Sequence, residues 1–188
     1  MTKTILVNQQ HKLKESYFKR LNLITTKDIE NKDIEVEKET YEAYLKLKEF
    51  LENKGIIIGI DSAFRSFQGQ IDIYEEIKDK YGKDYADKIV APIGTSEHHT
   101  GLAIDFSLMV DGRFIEVNVE YENYIDIFNT IHKHLKEFGF ILRYPKGKES
   151  ITGYPYEPWH IRYVGNFVAK IIEENNYCLL YTSPSPRD

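Results

Sequence analysis

Ser96-Glu97-His98-His99-Thr100-Gly101-Leu102-Ala103-Ile104-Asp105-Phe106-Ser107-Leu108-Met109-Val110-Asp111-Gly112 decides how this chain folds. Leu102, Ile104, Phe106 and Leu108 alternate with Ala103, Asp105 and Ser107, a period of two that sends successive side chains to opposite faces of a strand. Asp111-Gly112 is a hairpin signal, and Arg113 to Val117 reads as the returning strand, which makes the pairing antiparallel. Asp105 stands out, because a carboxylate on an apolar strand is costly to bury without a partner.

Outward from this hairpin, helices and strands are mixed. Residues 36–53 place Tyr41, Tyr44, Leu45, Leu47 and Leu51 among Glu and Lys, with Gly55 beyond, the mark of an amphipathic helix with a glycine stop. The β-branched run Ile56-Ile57-Ile58-Gly59-Ile60 predicts a buried strand. Ser66 can cap a second helix with Phe67, Ile71, Tyr74, Ile77 and Tyr81 on one face, and a short helical stretch follows around Asp84 to Val90. A third helix is predicted over Tyr121 to Phe138, then strands at Phe140 to Tyr144 and Trp159 to Val164, and a last helix from about Asn166. Tight turns and the lack of a regular βαβ period make the class α+β, a central antiparallel sheet flanked by helices. Residues 1–177 read as one domain, with the motif-bearing core at about 56–165. The Pro/Ser-rich end, 178–188, matches a translated sequencing adapter and reads as a non-native tail.

At 188 residues, 41% hydrophobic and 29% charged, the chain can bury a sizeable core. The net charge of -5, with lysines interspersed among glutamates, provides no basic field and disfavours nucleic acid as a partner. The apolar run near the start, Ile5-Leu6-Val7, is far too short for a signal-peptide core or a membrane span. The chain as written is therefore expected in the cytoplasm, or at the cell envelope if an anchor precedes Met1. The single cysteine, Cys178, excludes an internal disulfide. Nothing in the sequence sets an oligomeric state.

His98, Asp105 and His160 are candidate metal ligands, since a catalytic zinc site supplies three imidazole or carboxylate ligands and leaves a fourth position for water. Ala103, two residues before Asp105 on the same face, is small enough to leave room for an ion. Spacing alone leaves open that His98 and Asp105 are simply a hydrogen-bonded pair at a strand end.

Ser96-x-His98-x-x-Gly101-x-Ala103-x-Asp105 resembles, at every fixed position, the signature of the D-alanyl-D-alanine metallopeptidases, relatives of lysostaphin-type peptidases and hedgehog domains. Glu157-Pro158-Trp159-His160 is similar to that family's Glu-x-x-His element, and Ser62-Ala63-Phe64-Arg65-Ser66 with Gln70 to its arginine-bearing segment. The stretch from Arg143-Tyr144-Pro145 to Trp159-His160-Ile161-Arg162-Tyr163 is most like the vancomycin-resistance-type carboxypeptidases. The resemblance implies one zinc ion on His98, Asp105 and His160, Glu157 as catalytic base, and Arg65 as oxyanion donor. It implies hydrolysis of the terminal D-Ala from peptidoglycan stem or precursor peptides. Ser96, Gln70, Tyr144 and Trp159 are the candidate substrate-binding residues. The same site also fits an L,D-carboxypeptidase, a D,D-dipeptidase or a phage-type endopeptidase, and a non-catalytic zinc-containing binding domain is the reading from another class.

The remaining histidines read as bystanders. His99 should point away from the site, either supporting it from behind or lying at the surface; His132 and His134 should be solvated; His11 has no evident partner. Arg162 shares strand parity with His160, so it either borders the pocket or makes a structural ion pair.

Overall fold

The computed structural model describes residues 2–175 together with Tyr177 and Leu179. Of the stretch 178–188 read as a foreign tail, all but Leu179 lies outside the described residues. An N-terminal arm leads through a 3-10 turn at Glu15–Arg20 into a hairpin of β1 (Leu23–Lys27) and β2 (Asp33–Glu37). Sequence patterning marks neither, because both strands are short, half-exposed and polar at alternate positions.

The helix predicted over 36–53 is α1 (Lys38–Glu52), which buries Tyr44, Leu47 and Leu51. Its cap is Glu37, whose carboxylate accepts from the Thr40 N–H at 3.0 Å, satisfying a donor that the first turn leaves free. The strand expected at Ile56–Ile60 begins two residues later, as β3 (Ile58–Ser62). The Ile56 N–H bonds back to the Leu51 carbonyl at 3.0 Å and closes the helix end instead of entering the sheet. α2 (Phe67–Tyr81) starts as expected at Ser66, whose hydroxyl accepts from Gly69 N–H at 3.0 Å, and α3 (Lys83–Ile89) follows.

β4 (Ala103–Val110) is the predicted strand, but its return, β5 (Arg113–Phe114), is only two residues long. Glu120 accounts for the difference. Its carboxylate takes a two-pronged contact from Arg113 and accepts from Glu116 N–H at 2.8 Å, turning the chain into α4 (Val117–Glu120). The continuous helix expected over Tyr121–Phe138 is also divided: a 3-10 turn at Tyr121–Tyr124, α5 (Ile125–His132), and a 3-10 turn at Leu135–Phe138. Tightening to three residues per turn keeps Leu135 and Phe138 on the core side, where Phe128 and Ile131 already lie. β6 (Phe140–Leu142), α6 (Glu149–Thr152), β7 (His160–Tyr163) and α7 (Asn166–Glu174) complete the described chain.

The main sheet has the order β3-β4-β7-β6 with every neighbour antiparallel, and β5 pairs with the end of β4. The expected α+β class with a helix-flanked antiparallel sheet is what forms. Leu47, Leu51, Ile58, Phe106, Phe128, Ile131, Phe140 and Ile161 are fully buried, each burial contributing about 1.5–3 kcal/mol. β4 is central and both of its faces are covered, so the side opposite the apolar alternation becomes the floor of a cleft rather than a wetted surface. No helix among the described residues is long and apolar enough to cross a membrane.

Candidate active site

Strand register brings the candidate ligands together. Asp105 lies directly opposite His160 across β4 and β7, and Ser62 opposite Asp105 across β3 and β4, beside a bulge between Ile60 and Ser62. His98 comes from the 3-10 turn Glu97–Thr100, whose closing residue Gly101 has φ +69°, a left-handed conformation that suits glycine. This reversal lets the chain enter β4 with Asp105 below His98. One ligand atom from each of His98, Asp105 and His160 lies within 4.8 Å of the others.

The two imidazoles are aimed by different means. His98 Nδ1 donates to the Ala63 carbonyl at 2.6 Å, which leaves the Nε2 lone pair facing Asp105 Oδ2 at 3.1 Å. His160 is reversed, with Nδ1 2.9 Å from Asp105 Oδ1 and Nε2 on the far side. Asp105 Oδ1 is buried without an aligned hydrogen bond. A neutral imidazole lone pair and a carboxylate oxygen at that separation repel unless a proton or cation lies between them. Two nitrogens and a carboxylate converging in this way make a donor set that fits zinc. Burial alone would raise the Asp105 carboxyl, but His98 and His160 hold it well below the usual carboxylate range. Burial opposes the charged form of His160, yet Asp105 outweighs it and pushes the imidazole up to about 10, whereas burial lowers His98.

Around this cluster is a cleft of about 260 Å³, lined on the polar side by Arg65, Gln70, Ser96, Glu157 and Tyr144, with Trp159 at its wall. Glu157 Oε2 lies 3.8 Å from His160 Nδ1. Burial pushes its carboxyl up to about 7. A divalent cation held by the three residues would oppose that rise and favour the ionised form. Arg65 is held by its own neighbours: Nη1 donates to Gln70 Oε1 at 3.1 Å and Nη2 to Ser62 Oγ at 3.2 Å. Gln70 in turn donates to the Ala91 carbonyl at 2.7 Å, so its amide is occupied in fixing Arg65. Ser96 is buried in the cleft, Tyr144 lies against His160 with centroids 4.8 Å apart and ring planes inclined by 49°, and Trp159 packs edge-on against Tyr121.

His132, His134 and His11 differ from expectation, whereas His99 takes the supporting place, one of the two expected for it. His99 is fully buried against Phe67, and its Nδ1 donates to the Arg65 carbonyl at 2.6 Å, so it secures the backbone of the arginine segment. His132 is not solvated: its Nε2 donates to the Pro158 carbonyl at 2.8 Å, tying α5 to the loop before His160. His134 is partly covered, pairing with Glu137 at 2.8 Å and packing on Phe50. His11 bonds Asn8 Oδ1 at 3.0 Å. Arg162 is fully buried and makes an ion pair with Glu97 at 3.0 Å, the structural alternative. Sequence reasoning passed over Glu97 and Arg143, which pair at 2.6 Å with both side chains almost wholly enclosed. A glutamate at a variable position inside the motif carries no signal until β6 and β7 bring Arg143 and Arg162 to it.

A family model described as VanY, D-alanyl-D-alanine carboxypeptidase, matches residues 33–166. The chain belongs to that family. Among its relatives in the VanY family, the D-alanyl-D-alanine carboxypeptidase of Enterococcus faecalis (strain ATCC 700802 / V583) is 32% identical over 185 residues, 93% of this chain and 63% of that sequence. The VanY-family fold is shared with a solved LdcB LD-carboxypeptidase (TM-score 0.78, 33% identity, 93% of this chain and 82% of that one). It is also shared with a mutant of the vancomycin resistance D,D-pentapeptidase VanY crystallised in complex with Zn(II) (TM-score 0.75, 28% identity, 96% and 98% covered). This VanY-family chain spans 34% to 64% of the length of four curated relatives that it matches.

Proposed function

We propose that the chain is a zinc-dependent D-alanyl-D-alanine carboxypeptidase that removes the terminal D-Ala from peptidoglycan stem or precursor peptides. The observation that carries this reading is the convergence of His98, Asp105 and His160 within 4.8 Å, with Glu157 Oε2 beside them at 3.8 Å. Zinc held by these three residues would supply Lewis acidity, to acidify a water and polarise the scissile carbonyl. Glu157 takes the water's proton on its carboxylate and passes it to the leaving amine of D-Ala. Arg65, immobilised by Ser62 and Gln70, directs its remaining N–H groups at the negative charge that develops on the carbonyl oxygen. Its planar, multi-donor head suits that fixed contact better than a lysine ammonium. Ser96, Tyr144 and Trp159 border the space where the two terminal residues lie, and Gln70 acts there through Arg65.

L,D-carboxypeptidase activity is the second reading, favoured by the 0.78 TM-score to an LD-carboxypeptidase. Both readings need the same ligands and base and differ in the loops that receive the penultimate residue. The zinc-loaded protein should be incubated with a muramyl pentapeptide and a tetrapeptide, and the products weighed by mass spectrometry. Loss of one alanine from the pentapeptide supports the proposal; loss of an Ala-Ala unit indicates a dipeptidase; trimming of the tetrapeptide alone indicates the L,D enzyme. Intact peptides in every arm overturn the enzymatic reading in favour of a zinc-containing binding domain.

A further inference from the structure

We infer that Glu97 is a positioning residue for His160: its carboxylate accepts the imidazole Nε2–H and, steadied by Arg143 and Arg162, keeps Nδ1 turned toward Asp105. The inference rests on the zinc reading of the site.

Three observations converge. Glu97 has no exposed side-chain surface and divides its two oxygens between different tasks. Oε1 takes Arg143 Nε at 2.6 Å and Arg162 Nη1 at 3.0 Å, while Oε2 faces His160 Nε2 at 3.6 Å. Second, Glu97 Oε2 and His160 Nε2 are both buried polar atoms without an aligned hydrogen bond, and they face each other only a few tenths of an ångström beyond the ~2.7–3.2 Å of a normal one. With Nδ1 committed to a metal, Nε2 must carry the proton, and Glu97 Oε2 is the acceptor it faces. Third, both arginines are themselves anchored. Arg162 Nη2 donates to the Lys3 and Ile5 carbonyls at 3.0 and 2.9 Å, and Arg143 lies over the Tyr144 ring, which packs at a tilt against His160.

The two ligand imidazoles are thus fixed asymmetrically. His98 is oriented by a neutral backbone carbonyl, Ala63 O. His160 is oriented by a carboxylate, a stronger acceptor that also makes the ring a better electron donor to the metal. A role confined to pinning the N-terminal arm would need only Oε1 and its arginines; it gives no reason for Oε2 to face the imidazole.

The test compares wild type, E97Q and E97Q/R143Q, each purified and loaded with metal. Zinc affinity is read by competition with a chromophoric chelator, and ligand geometry by the visible spectrum of the Co(II)-substituted protein. Wild type is expected to bind one zinc; failure to bind would overturn the zinc reading itself, and this inference with it. If wild type binds, E97Q should lose about 10–100-fold in zinc affinity, shift the Co(II) bands, and lower kcat more than it raises KM. The double variant removes one charge of each sign and so restores the balance among the buried groups. It should recover melting temperature but not zinc affinity. Recovery of affinity together with stability, or an E97Q protein with wild-type affinity and cobalt spectrum, overturns the inference. Should E97Q fail to fold, NMR of wild type decides: His160 Nε2–H should appear as a slowly exchanging proton in the zinc protein, and its absence rules the contact out.

Discussion

Replacing Gly101 by alanine should destabilise the protein by roughly 2–3 kcal/mol and weaken zinc binding, whereas the same change at Gly55 should do much less. Both glycines have positive φ, +69° and +78°, so each alanine pays about 1 kcal/mol or slightly more for the left-handed conformation. Only at Gly101 does the new methyl meet anything. It would sit 3.0 Å from Glu37 Cβ and 3.6 Å from Leu21 Cδ2, whereas at Gly55 nothing lies within 4 Å. Glu37 is buried and caps α1 through Thr40 N–H, and displacing a cap costs about 1 kcal/mol more. At about 2–4 °C per kcal/mol for a chain of this size, G101A should melt roughly 4–12 °C lower and G55A roughly 2–4 °C lower. Calorimetry on both variants, with zinc titrations alongside, makes the comparison. Equal melting shifts in the two variants would refute the close-contact reasoning, and unchanged zinc affinity in G101A would refute the claim that this turn sets His98 above Asp105.

Glu157→Gln should lower kcat by about 10²–10⁴, the range for a lost acid–base group, with zinc content unchanged by metal analysis; near-wild-type turnover would remove Glu157 from the mechanism. Zinc should stabilise the chain by about 2.7 kcal/mol at a free concentration one hundred times its Kd, seen as a rise in melting temperature that a chelator reverses, and a melting point indifferent to zinc would argue against the proposed site. His132 should make stability pH-dependent. Burial lowers its pKa from the ordinary 6.5, so the unfolded chain binds more protons than the folded one, and stability is full above about pH 6.5 and lost as pH falls below it. His132→Asn should reduce that acid slope by up to one proton in denaturant titrations; an identical slope would show that His132 does not contribute.

Much of the site was legible in the sequence because its logic is local. Ser96 through Asp105 specifies a loop ligand, a reversal at Gly101 and a strand ligand within ten residues, and the alternation of Leu102, Ile104, Phe106 and Leu108 settles which face Asp105 takes. Ser66 announces α2, and with it where the Arg65 segment ends. The division of the helix expected over Tyr121–Phe138 was not legible. Its apolar spacing suits a continuous helix, and the Arg113–Glu120 contact and the position of Phe138 against Phe50 depend on neighbours distant in sequence.

The sequence by itself determined the fold class, the family and a set of residues able to hold a metal, because periodicity, turn chemistry and motif spacing are properties of contiguous chain. Tertiary structure alone decided which atoms those residues present. Pairing β4 with β7 sets Asp105 opposite His160, the Ala63 carbonyl selects the ring nitrogen that His98 offers, and Arg143 and Arg162 make it possible to bury Glu97 behind His160. A charge can be buried only where its partners arrive from elsewhere in the fold, and no local pattern records that arrival.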